Sequence, residues 1–285
     1  MPATRWNLAA LACATAFVLS APAADTGRTD AYQSPYSVQF TYPVEDLLHD
    51  LTHGARGDVR EQSSVPFAEW YAHRTRERYG HWGPPARHYP AAHGALSRPV
   101  EWQRERVIAL GLRYVGYGYQ HHHVPDWDPP AGWPWDQTAV GHNGKGVDCS
   151  NFTAFVYNQG FGIKPNSAIK KQAEQTEVAG PGPEHVTRVE RIDLPDTDDG
   201  LVNTLRTGDL LFIRNRGGEL AHVVLWVGPI GRSPDGKPLI LDSHGQGVKD
   251  ARGQAIPAGI HLRPVSETSW YFKSASHAHR LLHGK

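Results

Sequence analysis

The sequence predicts an α+β fold, N-terminal helices followed by an antiparallel sheet. Apolar residues recur at three- and four-residue spacing around Val107–Leu112 and Phe152–Val156, the signature of helices with one buried face. After residue 200 the pattern changes to short, nearly continuous apolar runs separated by turn residues, which reads as strands. Helices first and strands later is the order of an α+β chain.

The N-terminus comes before the fold. Arg5 precedes an apolar run from Leu8 to Leu19 that closes on Ala21-Pro22-Ala23, a charged start and small-residue site expected of a secretory signal peptide over residues 1–23. Its removal takes Cys13 away and leaves Cys149 as the one cysteine of an exported protein, periplasmic or extracellular, with no internal disulfide to make. About 260 residues then remain, ample for one core, and none of their apolar runs is long enough for a membrane span. Lys and Arg total 29 against 29 Asp and Glu, which gives no electrostatic basis for a nucleic-acid partner. A monomer is expected.

Residues 24–98 read as an extended arm with two short helical stretches. Val44, Leu47, Leu48 and Leu51 share a face after Pro43, and Phe67, Trp70 and Tyr71 do so between Ser64 and Gly80. Residues 99–285 read as the main domain. Its first helix runs from Glu101 to about Leu112, and its second starts at Cys149, carries Phe152, Phe155 and Val156 inward and stops at Gly160. Between them lie His121, His122 and His123, a polar loop bordering a cleft rather than a metal site, since neighbouring residues cannot all face one ion from a regular element. A loop over 124–146 interleaves Trp127, Trp133 and Trp135 with prolines. A third helix is predicted from Pro165 to Val178, ended by Gly180-Pro181-Gly182-Pro183. Strands follow at 209–213 and 221–227, flanking a Gly217-Gly218 hairpin turn, then at 238–242, 259–263 and 279–282.

Two residues carry the chemistry. Cys149 sits where a loop becomes a helix, and the unpaired backbone N–H groups there favour a thiolate. An unpaired thiol in an oxidising compartment is a liability unless it is used. A cysteine nucleophile needs a base and a group that orients the base. His222 opens an otherwise apolar strand and is the leading base, while Asp242 and His244, two apart at the end of the next strand, can each reach it.

Several motifs, in this order, resemble the NlpC/P60 family of papain-like cysteine peptidases. They are Arg113-Tyr114-Val115, Gly146-Val147-Asp148-Cys149-Ser150, Thr207-Gly208-Asp209-Leu210-Leu211-Phe212, and Ala221-His222-Val223-Val224-Leu225-Trp226-Val227-Gly228. The resemblance covers about residues 100 to 283 and implies a papain-like fold. It implies Cys149 as nucleophile, His222 as base and a polar third residue, for which His244 is favoured and Asp242 is the alternative. It further implies Tyr114 beside the oxyanion site, Asp148 and Ser150 as holders of the substrate, no cofactor and no metal. The implied substrate is a peptidoglycan stem peptide or muropeptide, cut between γ-D-Glu and the diamino acid. The rival readings are a CHAP-like amidase or acyltransferase and an inactive cell-wall binding protein. Asn151, where the family usually has Gly, the long loop after Tyr114 and an insertion over 229–237 depart from the family pattern.

Overall fold

A computed structural model of the chain describes residues 32–52, 62–90, 92–124, 133–135, 146–182 and 184–284. The signal peptide expected over residues 1–23 and Trp127 lie outside these residues. Seven helices are described: α1 (Val44–Leu48), α2 (His73–Tyr79), α3 (Val100–Leu112), α4 (Cys149–Phe161), α5 (Ile169–Glu174), α6 (Asp198–Thr204) and α7 (Trp270–Lys273). The strands are β1 (Ser37–Val38), β2 (Glu177–Ala179), β3 (Val186–Arg188), β4 (Glu190–Ile192), β5 (Leu210–Arg214), β6 (Leu220–Trp226), β7 (Gly231–Arg232), β8 (Leu239–His244), β9 (Gly259–Pro264) and β10 (Ala275–Arg280).

The main sheet is antiparallel in the order β4-β10-β5-β6-β8-β9. Four consecutive strands of it form the expected meander, with Gly217 and Gly218 in the β5–β6 turn. The last strand returns to the far side of β5, so the C-terminus is built into the sheet. Leu211, Ile213, Val224, Trp226, Ile240 and Ala278 make the apolar core on one face together with Leu201, Leu205 and Tyr271. The thirteen residues of α4 are all buried, and the helix packs on β6 and α3.

Four expectations are corrected. The helix predicted over 165–178 is only α5; Lys164 N donates to the Ala179 carbonyl at 2.8 Å, and the β-branched Val178 is buried in a strand paired with β3. The helix predicted between Ser64 and Gly80 is split into a single turn at Phe67–Glu69 and the short α2. The last strand begins at Ala275 rather than 279, because Ser269 caps α7 and the chain turns into the sheet directly after it. The α4 helix also runs one turn-residue past the expected stop: Gly162, at φ 69°, is its left-handed C-cap, and Gly160 lies inside the helix.

The N-terminal segments are held on the helices by buried polar groups. Arg106 of α3 is 1% exposed and forks onto Asp50 at 2.6 and 2.7 Å while also donating to the Gly160 carbonyl of α4. The Glu105 carboxylate accepts from the backbone N–H of Thr41 and Tyr42. Leu47 and Leu48 are fully buried, and the backbone of Tyr89 donates to the Asn158 side chain of α4 at 3.0 Å.

Candidate active site

Cys149 is the first residue of α4, and its neighbours are fixed from several directions. Asp148 is the N-cap: its carboxylate accepts from the Asn151 backbone N–H at 2.9 Å and from the Asn151 side-chain amide, which reaches both oxygens at 2.8 Å. Asn151, the departure from the family's Gly, therefore locks the cap. Upstream, Val147 N donates to the Gly118 carbonyl at 3.0 Å, and the Ser243 hydroxyl of β8 donates to the Val147 carbonyl. Gly146 permits this approach, since a Cβ there would lie 2.4 Å from the Gly118 oxygen. The thiol that results is 5% exposed at the wall of a cleft.

His222 lies in phase with Val224 and Trp226 along β6, on the sheet face that carries Tyr271. Its Nε2 is 2.8 Å from Asp242 Oδ1, and the other carboxylate oxygen accepts from the Tyr271 hydroxyl at 2.7 Å. Arg263 of β9, fully buried, brings its Nε to 3.5 Å from the same oxygen, an ion-pair distance rather than a hydrogen bond. Burial alone would push the imidazole toward neutrality, but the Asp242 charge and the adjacent Cys149 hold the His222 pKa up at about 10. Burial opposes the Asp242 charge as well, and His222 and Arg263 outweigh it, keeping the carboxyl below its ordinary range.

Of the two candidates for the third residue, the structure places the alternative, Asp242, rather than the favoured His244, in hydrogen-bond contact with His222. His222 is bonded to Asp242 and not to His244, whose ring stands nearly edge-on at 5.0 Å with its Nδ1 unpaired among the described residues. The β6–β8 register pairs Leu225 with Leu241, so by continuation His244 falls level with His222 and Asp242 reaches it diagonally. Charge favours the diagonal partner: burial depresses the His244 pKa to about 4, leaving a neutral ring that brings no negative charge to an imidazolium.

Tyr114, expected beside the oxyanion site, is placed elsewhere. Its ring packs against Phe155 and Phe152 in the core and its hydroxyl donates to Gln159, away from the cleft. Tyr119 lines the cleft together with Cys149. The segment before it is pinned between two partners, Ile260 N donating to the Tyr117 carbonyl at 2.9 Å and Val147 N to that of Gly118. Gly259, at φ +110°, allows the first contact, because a Cβ there would stand 2.2 Å from the Tyr117 oxygen. Burial, with the nearby Cys149 and Asp148, raises the Tyr119 pKa to about 12, so the phenol remains a donor.

The cleft is a cavity of about 500 Å³ lined by Cys149, Ser150, Tyr119, His121, Ile169 and Trp82, among others. Asp148 and Ser150 both border it, but their polar atoms are engaged: the Ser150 hydroxyl donates to the Ser167 carbonyl at 2.7 Å. His121 and His123 do line the cleft, while His122 is buried. Trp82 comes from the N-terminal segment; its ring meets His121 edge-on at 4.7 Å, and its carbonyl accepts from the His123 backbone N–H.

Two results are expected from these geometries. Tyr271→Phe removes one donor to Asp242 and should lower kcat/KM by about tenfold, the worth of one buried hydrogen bond. Because that donor stabilises the ionised carboxylate, the acid limb of the pH profile should move to higher pH; an unchanged limb would mean that Tyr271 only packs. The second concerns stability. Burial drops His277, His261 and His279 to pKa values of about 4, about 4 and about 3, so below 6.5 the unfolded chain binds protons that the folded chain refuses. His222, raised to about 10, binds more protons folded than unfolded between 6.5 and 10, so its contribution is full below 6.5 and is lost above. The melting temperature should therefore fall as pH drops from 6.5 toward 4 and as it climbs from 6.5 toward 10; a flat profile would contradict these assignments.

A thiol at a helix N-terminus, a histidine beside it and a carboxylate behind the histidine have the geometry of a cysteine–histidine–aspartate triad. The NlpC/P60 family model matches residues 138–276, which contain the motifs around Cys149, Asp209 and His222 but not Arg113-Tyr114-Val115, and this is a family of cysteine peptidases and hydrolases acting on the cell wall. A crystal structure of an NlpC/P60 family protein from Bacillus cereus ATCC 10987 is 19% identical, covering 63% of this chain and 40% of that chain, with a TM-score of 0.35. This chain thus spans less than half of that protein's length. No curated protein matches the chain.

Proposed function

We propose that this chain is an exported cysteine hydrolase that cuts an amide bond in the peptide stem of peptidoglycan, with a papain-like catalytic domain over residues 99–285. The observation that carries the reading is the buried His222–Asp242 pair set against a thiol at the first residue of α4. The imidazolium that Asp242 sustains is the counter-ion a thiolate needs. The Cys149 thiolate attacks the amide carbonyl, and the carbonyl oxygen takes up the charge between the Cys149 backbone N–H and the Tyr119 hydroxyl. As the tetrahedral adduct collapses, His222 gives its proton to the leaving nitrogen and the C–N bond breaks. His222 then takes a proton from water, the hydroxide attacks the thioester, and thiolate and acid are restored.

Residues 24–98 are read as an extension that completes the cleft through Trp82. The bond between γ-D-Glu and the diamino acid is inferred from the family resemblance, and export from the charged start and Ala21-Pro22-Ala23. Incubation of the purified protein with muropeptides, followed by mass measurement of the fragments, tests the reading. Release of a sugar bearing a dipeptide supports it. Release of the whole stem identifies an amidase acting at the sugar-linked lactyl group, and intact muropeptides point to a substrate outside the wall. N-terminal sequencing of secreted protein should begin at Ala24 or Asp25; retention of Met1 or a lipid-modified Cys13 overturns the export reading.

A further inference from the structure

Next to the thiol cavity lies a second one of about 280 Å³, and His123, Asn151, Asn166 and Ser167 line both. A ligand seated over Cys149 can therefore extend into it past a shared wall. Its lining contains one ammonium, Lys164, and no Asp or Glu. Lys164 Nζ donates to the Ala86 carbonyl at 2.6 Å, which leaves two of its three N–H donors unspent. Among the described residues no carboxylate stands within ion-pair distance of it, and burial lowers its pKa.

Of the other polar groups of the cavity, Asn151 Oδ1 and His123 Nδ1 are buried without a partner among the described residues and carry no positive charge, while the amides of Asn158 and Gln175 are engaged. Asn158 accepts from Tyr89 and donates to Arg87, Gln175 accepts from Asn166 and donates to Glu177, and burial lowers the His123 pKa. A half-buried cation without a counter-ion loses hydration for no return, a cost that an incoming anion offsets. The backbone hydrogen bond to Ala179 fixes the Cα end of Lys164 and the Ala86 carbonyl holds its ammonium, so the charge is presented at the cavity wall.

We propose that this cavity is a second subsite of the cleft, in which Lys164 takes a free carboxylate of the substrate. The identity of what carries the carboxylate rests on the hydrolase reading above; the charge preference does not. Lys164 acts here as a specificity residue, remote from the reacting atoms.

The test uses a synthetic stem tripeptide and a set in which each free carboxylate in turn is converted to a carboxamide. With the full chain, one of these conversions should raise KM by about tenfold, the worth of a charge-assisted hydrogen bond. In Lys164→Gln, which keeps an N–H for the Ala86 carbonyl but removes the charge, the acid and amide forms should become equal; in Lys164→Arg the preference should return. If no conversion shows a penalty that depends on Lys164, the subsite is refuted. The same peptides titrated calorimetrically onto Cys149→Ala separate this outcome from failure of the hydrolase reading. Tighter binding of one acid form, abolished by adding Lys164→Gln, supports the subsite even where the wild type cleaves nothing, whereas equal or absent binding overturns it.

Discussion

Cys149→Ala and His222→Ala should each lower kcat/KM on the stem peptide by roughly 10⁴-fold or more, and the double variant should be no worse than either alone. The two side chains act as one unit: without the histidine the thiol lacks its counter-ion and the leaving nitrogen its proton, and without the thiol the histidine has nothing to activate. Both substitutions leave α4 and β6 in place, because Asp148 still caps the helix and Phe152, Phe155 and Val223 still pack. Loss of activity with unchanged circular dichroism is the expected outcome for both; the melting profile should be unchanged for Cys149→Ala, whereas His222→Ala should lower it below pH 6.5 and abolish its fall between pH 6.5 and 10. A His222→Ala variant that keeps most of the wild-type rate would remove His222 from the mechanism.

The second large effect lies behind the histidine. Asp242→Asn should cost roughly 10³-fold, since an amide can present the wrong hydrogen-bonding edge to the imidazole and cannot sustain its charge. His244→Ala should stay within about tenfold of wild type, because its ring touches His222 edge-on without a hydrogen bond. The opposite ranking, measured on the same peptide, would return the orienting role to His244. Asp242→Asn also leaves Arg263, fully buried, without its anionic partner, so a fall in melting temperature is expected alongside the kinetic loss.

The sequence disclosed most of the scaffold and part of the site, for reasons that differ by residue. Cys149 and His222 stand at the start of elements with strong apolar patterns, and those patterns locate α4 and β6 within a residue or two. The third residue was not legible, because period-two alternation puts Asp242 and His244 on one face and the decision depends on strand register and on Arg263, twenty-one residues further on. Tyr114 and Tyr119 were separated only by the fold. Both follow α3 in a tyrosine-rich run, and the backbone pairing of Tyr117 with Ile260 and of Gly118 with Val147 sends Tyr119 to the thiol. The alternation Gly116-Tyr117-Gly118-Tyr119, with glycines where backbones approach closely, was the available signal. Trp82 could not be assigned at all, since nothing local ties a residue of the arm to a cleft built around Cys149, far along the chain.

The thiolate–imidazolium pair is the centre of the account, and the rate of alkylation of Cys149 by iodoacetamide as a function of pH tests it most directly. Carried out on protein produced from residue 24 onward, which lacks Cys13, the reaction has Cys149 as its one thiol. Sustained by an imidazole whose pKa is held at about 10, the pair should react at pH 6 nearly as fast as at pH 8, and His222→Ala should lose the reaction at pH 6. A rate that instead climbs steeply between pH 7 and pH 9, as for a free cysteine, and is unaltered by His222→Ala, would contradict it.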